Sequence, residues 1–196
     1  MKQINPANQK IALEILNTAF QNNPGVLWVV KNDSNQYKRI TELCKYCLTV
    51  SIEKKGAYIS SNKKGVALIF ESPKKQKLYS FLTGYYRLGQ YCIGWSRAIK
   101  IIRRERKIQQ IRPNTKHLYF WMLGVKDRTY GLDTIKEIRD FTYALSYSKK
   151  LPIYAETTDV NILNLYLRYG FTIYDKWETG DNGVIVYFIQ RNWNQS

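Results

Sequence analysis

Acidic residues are scarce in this chain: 15 stand against 31 lysines and arginines in 196 residues, a formal charge of +16. Such an excess attracts polyanions, which could be nucleic acid, an anionic surface or the phosphates of a cofactor. Histidine occurs once, at His117, and cysteine three times, at Cys44, Cys47 and Cys92. An odd cysteine count with no second pair and no nearby histidine indicates neither a disulfide framework nor a zinc or other metal site. Cys44 and Cys47 share one helix face with Ile40, Leu43 and Leu48, which is core packing. No apolar run approaches the twenty or so residues of a membrane span, and Met1 to Pro6 has no signal-peptide core, so a cytoplasmic protein without a membrane span is expected. Internal repeats and dividing linkers are also missing, which leaves one domain over residues 1–196.

Apolar residues make up 44% of the chain, enough to bury a sizeable core. Lys10 to Gln21 and Gln36 to Val50 have helical periodicity, with Ala12, Ile15, Leu16, Ile40, Leu43 and Cys47 facing inward. Gly56–Ser60 and Val66–Phe70 read as a hairpin around Ser61–Gly65, and a short helix is expected over Gln76–Leu82. A longer helix from about Trp95 sets Ile99, Ile102, Ile108 and Ile111 among Arg97, Lys100, Arg103, Arg104, Arg106 and Lys107. Its basic face is the best polyanion patch in the chain. A solvated face is the plainer reading, because no helix-turn-helix spacing or aromatic stacking motif accompanies it.

The stretch from Lys116 to Lys176 alternates strand and helix. His117–Val125 is an aromatic-rich strand, and a helix carrying Ile135, Ile138, Thr142 and Leu145 follows. Ile153–Thr157 is a second strand, Ile162, Leu165, Tyr166 and Tyr169 mark a second helix, and Gly170 ends it. Gly180–Gly183 is a turn and Val184–Ile189 a final strand. The order predicts an α/β fold with a mixed central sheet flanked by helices.

Leu123-Gly-Val125, then a loop and helix, Pro152–Thr157, Asn161, Leu165-Tyr166 and Gly170-Phe171 together resemble the second half of a GNAT-type N-acetyltransferase. Ser96–Arg112 followed by His117-Leu-Tyr119 is similar to a bacterial and fungal branch of that family, in which a basic helix precedes a His-x-Tyr-Leu strand. The resemblance implies a GNAT-like fold with splayed central strands, acetyl-CoA as co-substrate, and a small-molecule or peptide amine as acceptor. It implies that the main chain at Leu123, Gly124 and Val125 holds the pantetheine arm. It also implies that the loop with Arg128, Tyr130, Gly131 and Leu132 wraps the pyrophosphate at a helix start, where free N–H groups favour an anion. Asn161 matches a residue that contacts the pantetheine arm, or serves as a helix N-cap. Tyr166 matches the tyrosine that protonates the departing thiolate, or is one more packed aromatic.

The loop departs from the family pattern. Counted from Leu123, Tyr130 takes the Gln position and Asp133 and Ile135 fall where glycines belong; anchored on Arg128, Asp133 still occupies the final small position. Thr134 and Glu137 have the spacing of a capping box, which would fill the helix start with its own side chains. For the base that takes the amine proton, His117, Glu71 and Glu156 are the candidates. Two functions follow: acetyl transfer from acetyl-CoA to a primary amine, or a non-catalytic GNAT-like binding module that uses the basic helix for a polyanion.

Overall fold

The computed structural model describes residues 1–72, 95–126, 132–180 and 184–195, with the backbone alone for 95–98. The expected helix at Gln76–Leu82, Cys92, the loop residues Arg128, Tyr130 and Gly131, and most of the turn after Gly180 lie outside the described residues.

In chain order the elements are β1 (Lys2–Gln3), α1 (Gln9–Phe20), α2 (Pro24–Val29), α3 (Gln36–Glu53), β2 (Ala57–Ile59) and β3 (Gly65–Ser72). There follow α4 (Trp95–Ile111), β4 (His117–Val125), α5 (Leu132–Lys149), β5 (Ile153–Thr157), α6 (Val160–Arg168), β6 (Thr172–Glu178) and β7 (Ile185–Arg191). The strands form one sheet in the order β1-β2-β3-β4-β5-β7-β6. Only β4 and β5 pair in parallel, so the sheet is mixed, as expected.

The alternating faces of β4 and β5 divide the core in two. Ile15 and Leu16 of α1, Cys44 and Cys47 of α3, and Ile101 of α4 pack with Met122 on one face. On the other, Ile138 of α5 and Leu163 of α6 pack with Leu118, Phe120, Ile153 and Ala155. Ile108 of α4 extends the first layer over Val186 and Phe188 of β7.

One short helix is added and two local readings are corrected. The run after Asn22 forms α2, started by Pro24 at its first turn and by the Asn23 side chain, which accepts from the Val26 N–H at 3.1 Å. The buried stripe of α4 is Ile101 and Ile108, continued by Arg112 just past the helix end, whereas Ile99 is exposed, so the helix is rotated from the all-isoleucine stripe. Thr134 and Glu137 do not cap α5. Thr134 Oγ1 accepts from Asn62 Nδ2 at 2.8 Å, and Glu137 accepts from the Ser61 N–H and hydroxyl, so both hold the β2–β3 hairpin against the helix.

Candidate active site between the splayed strands

β4 and β5 are joined only at Leu118–Ile153 and Tyr119–Tyr154. Beyond this rung β4 continues to Val125 on β3, while β5 continues to Thr157 on β7, so a gap opens in the middle of the sheet.

A one-residue bulge decides what faces the gap. The Leu118 N–H donates to Pro152 on the β5 side, whereas the Lys126 N–H donates to Lys64 on the β3 side. Residues of equal parity face the same neighbour in a regular strand, so one extra residue lies between them. The register locates it: Phe120 pairs with Ile69 and Met122 with Leu68, leaving Trp121 over. Past Trp121, the main-chain groups of Leu123 and Val125 therefore turn away from β3 into the gap. Gly124 faces β3 and lies beneath α1, where a Cβ would stand 3.3 Å from Ala19 Cβ.

A cavity of about 1000 Å³ draws its walls from both faces of the sheet at this gap. On the α5–α6 side it is lined by Leu123, Val125, Ile135, Ile162, Leu165 and Tyr166. On the α1–α4 side Phe20, Val26, Leu43, Phe70 and Trp121 contribute, with Glu105, Arg112, Tyr119 and Glu156.

Those last four form the polar heart of the site. Arg112 Nε donates to Glu156 Oε1 at 2.9 Å, and the Tyr119 hydroxyl donates to Glu156 Oε2 at 2.8 Å. The Arg112 guanidinium lies over the Tyr119 ring, 3.9 Å from its centroid. Both partners of the ion pair are largely buried, with side-chain exposures of 7% and 11%. Burial works against the Arg112 charge, but the Tyr119, Glu156 and Glu105 groups more than offset it and hold the guanidinium protonated. Burial pushes the Tyr119 phenol well up, which keeps its proton available to Glu156. It also pushes the Glu105 carboxyl up, against the pull of Arg112. At the cavity edge Lys54 sits 4.2 Å from the Phe70 ring centroid, its ammonium lowered by burial and by the Arg112 charge.

The structure brings together Leu123, Val125, Glu156 and Tyr166. Tyr166 packs edge-on against Phe120 and Phe171, and burial pushes its phenol up, so it remains an O–H donor at neutral pH. Asp159, rather than Asn161, caps α6 by accepting from the Asn161 and Ile162 N–H groups; Asn161 is exposed in the first turn. His117 is 2% exposed behind Tyr154 and is not a cavity residue. Its Nδ1–H donates to the Thr115 carbonyl, and burial lowers its pKa. Glu71 is tied to Lys116 and Lys149 at the surface. Leu132 is 76% exposed and Asp133 is exposed at the start of α5.

Sequence reading missed Glu105, Arg112 and Tyr119. A signal existed: Ile101, Glu105, Ile108 and Arg112 recur at helical spacing, so one face of α4, extended by the residue that follows it, holds two opposite charges among isoleucines. Among the described residues, no cluster of His, Cys, Asp and Glu could hold a metal ion, and no helix is long and apolar enough to cross a membrane.

No family model matches the sequence, and no curated protein is significantly similar to it. Solved structures do match over nearly the whole chain. A histone acetyltransferase HPA2-related acetyltransferase from Corynebacterium glutamicum is 18% identical, with 97% of this chain and 94% of that one covered and a TM-score of 0.69. Arylalkylamine N-acetyltransferase 2 from Aedes aegypti is 13% identical, with 98% of each chain covered and a TM-score of 0.69. Polyamine N-acetyltransferase from Drosophila melanogaster is 8% identical, with 97% and 98% covered and a TM-score of 0.70. With its mixed seven-stranded sheet parted between β4 and β5, the chain has the fold of the GNAT acetyltransferases.

Proposed function

We propose that the protein transfers an acetyl group from acetyl-CoA to a primary amine. The observation that carries this reading is the bulge at Trp121, which turns the Leu123 and Val125 main chain into a gap opening on a cavity of about 1000 Å³. Unpaired strand groups there can bond the amides of a pantetheine arm as a missing strand would. Acetyl-CoA would supply the activated acyl group. The start of α5 is the expected place for its phosphates: Thr134 and Glu137 are engaged with the hairpin instead of capping the helix and Lys126 is exposed nearby in sequence, while Asp133 in the first turn opposes an anion.

Within this reading Glu156 accepts the proton from the attacking amine nitrogen. Arg112 and Tyr119 fix its two oxygens on the α4 side of the gap. Tyr166 donates its phenolic proton to the sulfur as the carbon–sulfur bond breaks, from the α6 side. Base and acid thus approach the gap from opposite faces of the sheet. Calorimetric titration of the protein with acetyl-CoA and with CoA tests the reading. Micromolar binding is expected, and absence of binding would sink it in favour of a non-catalytic module.

That second reading has its own observation: Lys100, Arg103, Arg106 and Lys107 are exposed on the outer side of α4. Polyanion binding through them would weaken steeply with salt.

A further inference from the structure

Resting on the transferase reading, we propose that the acceptor is an α-amino acid with an apolar side chain, its carboxylate held by Lys54 and Arg112 and its amine beside Glu156. Unmet donors in the cavity carry this. Arg112 lines the cavity and donates through Nε to Glu156 Oε1, while its Nη2 is buried without a hydrogen-bond partner. A buried N–H of a charged group is costly to leave without an acceptor. Lys54 lies in the same half of the cavity, just past the end of α3, with its Nζ 4.2 Å from the Phe70 ring centroid. Among the described residues no carboxylate comes within ion-pair distance of it. The Arg112 charge lowers the Lys54 ammonium, so the two cations stand in each other's field, and an anion shared by them relieves both.

The charges of this half have the same sign. Glu53, Glu105 and Glu156 line it together with Lys54, Arg104 and Arg112, so formal charges balance. Burial favours the neutral carboxyl of Glu105, however, and that leaves a positive charge in excess. Glu53 does not quench Lys54 although the two are neighbours in sequence: Glu53 bears on the Tyr46 phenol, whereas Lys54 responds to Arg112. Arg104 lies over the Trp28 ring, 4.7 Å from its centroid.

The guanidinium also sets how far apart the two ends of the acceptor lie. The base and the anion donor share one planar group, with Nε holding Glu156 and Nη2 belonging to the same rigid fork. A ligand carboxylate taken up there comes close to the Glu156 carboxylate, an arrangement that is favourable only with an amine between the two. In an α-amino acid the nitrogen is bonded to the carbon that bears the carboxylate, so the amine falls in that place and next to the base. A long ω-amino acid carries its amine away from it. The side chain then meets Phe20, Val26, Leu43 and Phe70, where an apolar group is favoured and a second charge would lose its water.

Matched ligands test this without requiring turnover: L-leucine, L-leucinamide, isopentylamine and ε-aminocaproate. Leucinamide replaces the carboxylate by a neutral group, isopentylamine lacks it, and ε-aminocaproate is an isomer of leucine with its amine at the far end. Calorimetry measures the binding of each to the purified protein saturated with CoA, after CoA itself has been titrated. L-Leucine is expected to bind at least about tenfold more tightly than each of the others, the effect of one charge-assisted contact. Lys54→Met keeps an apolar stem against Phe70 and should weaken leucine about tenfold without weakening isopentylamine, while Lys54→Arg recovers most of the loss. Leucinamide or isopentylamine binding as tightly as leucine would leave Arg112 Nη2 to water and overturn the proposal. So would tighter binding of ε-aminocaproate, no binding of leucine, or a loss of CoA affinity in Lys54→Met, which would give that cation to the cofactor. Failure of CoA to bind the parent protein would instead bring down the transferase reading, and the order of the ligands on the CoA-free protein would still decide the amino-acid site.

Discussion

Tyr119 and Glu156 are joined across the parting strands: the hydroxyl of one donates to Oε2 of the other at 2.8 Å, at the last rung before the gap. Arg112 takes the second carboxylate oxygen, so Glu156 is fixed from two sides. If Glu156 is the base, Glu156→Gln should lower kcat on the order of 100-fold, the usual range for a positioned proton acceptor. Tyr119→Phe removes one orienting contact and should cost about tenfold in kcat. Acetyl-CoA affinity should hold in both. Steady-state kinetics beside calorimetry would check this, and an unchanged kcat in the glutamine variant would remove Glu156 from the chemistry.

The Trp121 bulge makes a prediction for the backbone itself. Gly124 faces β3 and pairs with Val66, whereas Leu123 and Val125 face a gap with no strand in it. Amide hydrogen exchange should therefore be faster at Leu123 and Val125 than at Gly124, since an unpaired amide opens without breaking a ladder. Acetyl-CoA should slow both. Equal protection at all three residues before ligand is added would mean that the bulge does not expose them.

How much of this was legible in the sequence depended on periodicity. Aromatic and β-branched runs delimit β4 and β5, and the succession of elements gives a mixed α/β fold, but not the order of strands in the sheet. The bulge was invisible, because an extra residue in an apolar strand leaves no mark on composition. The capping box at Thr134 and Glu137 had the right spacing, but the β2–β3 hairpin offered both side chains better partners. On α4 the isoleucine stripe misled because burial there favours a face with charges: Arg112 is buried by its pairing with Glu156, a contact 44 residues away that no local pattern reveals. His117 drew attention as the only histidine, yet rarity carries no information about where a strand points its side chain.

The hairpin contact is testable through stability. Gly65 lies so close to α5 that a Cβ would meet Thr134 Cγ2 at 2.4 Å and Ile138 Cδ1 at 2.9 Å. Gly65→Ala should therefore destabilise the fold by about 1–3 kcal/mol through overpacking. Glu137→Gln keeps its shape but loses charge assistance to the Ser61 donors, and should cost about 1 kcal/mol. Thermal unfolding would measure both. A neutral Gly65→Ala would show that the hairpin shifts freely off the helix, and the clamp would then not hold the start of α5.

His117 separates structure from catalysis. Its Nδ1–H bonds the Thr115 carbonyl, its Nε2 is buried without a partner, and burial holds its pKa below the ordinary 6.5. As the only histidine it gives a single ring resonance, whose titration midpoint should lie below 6.5. The sign for stability follows. With the folded value depressed, the unfolded chain binds a proton that the folded chain does not, so stability falls as pH drops through 6.5 and levels off below the folded midpoint. His117→Phe should remove that slope while leaving kcat within about threefold of the parent, since the ring stands outside the cavity. Melting temperatures across about pH 5 to 7, the window of histidine titration, would be compared with rates over the same range. A rate that collapses in the variant with its fold intact would return His117 to the reaction, and the cavity would then have to reach past Tyr154.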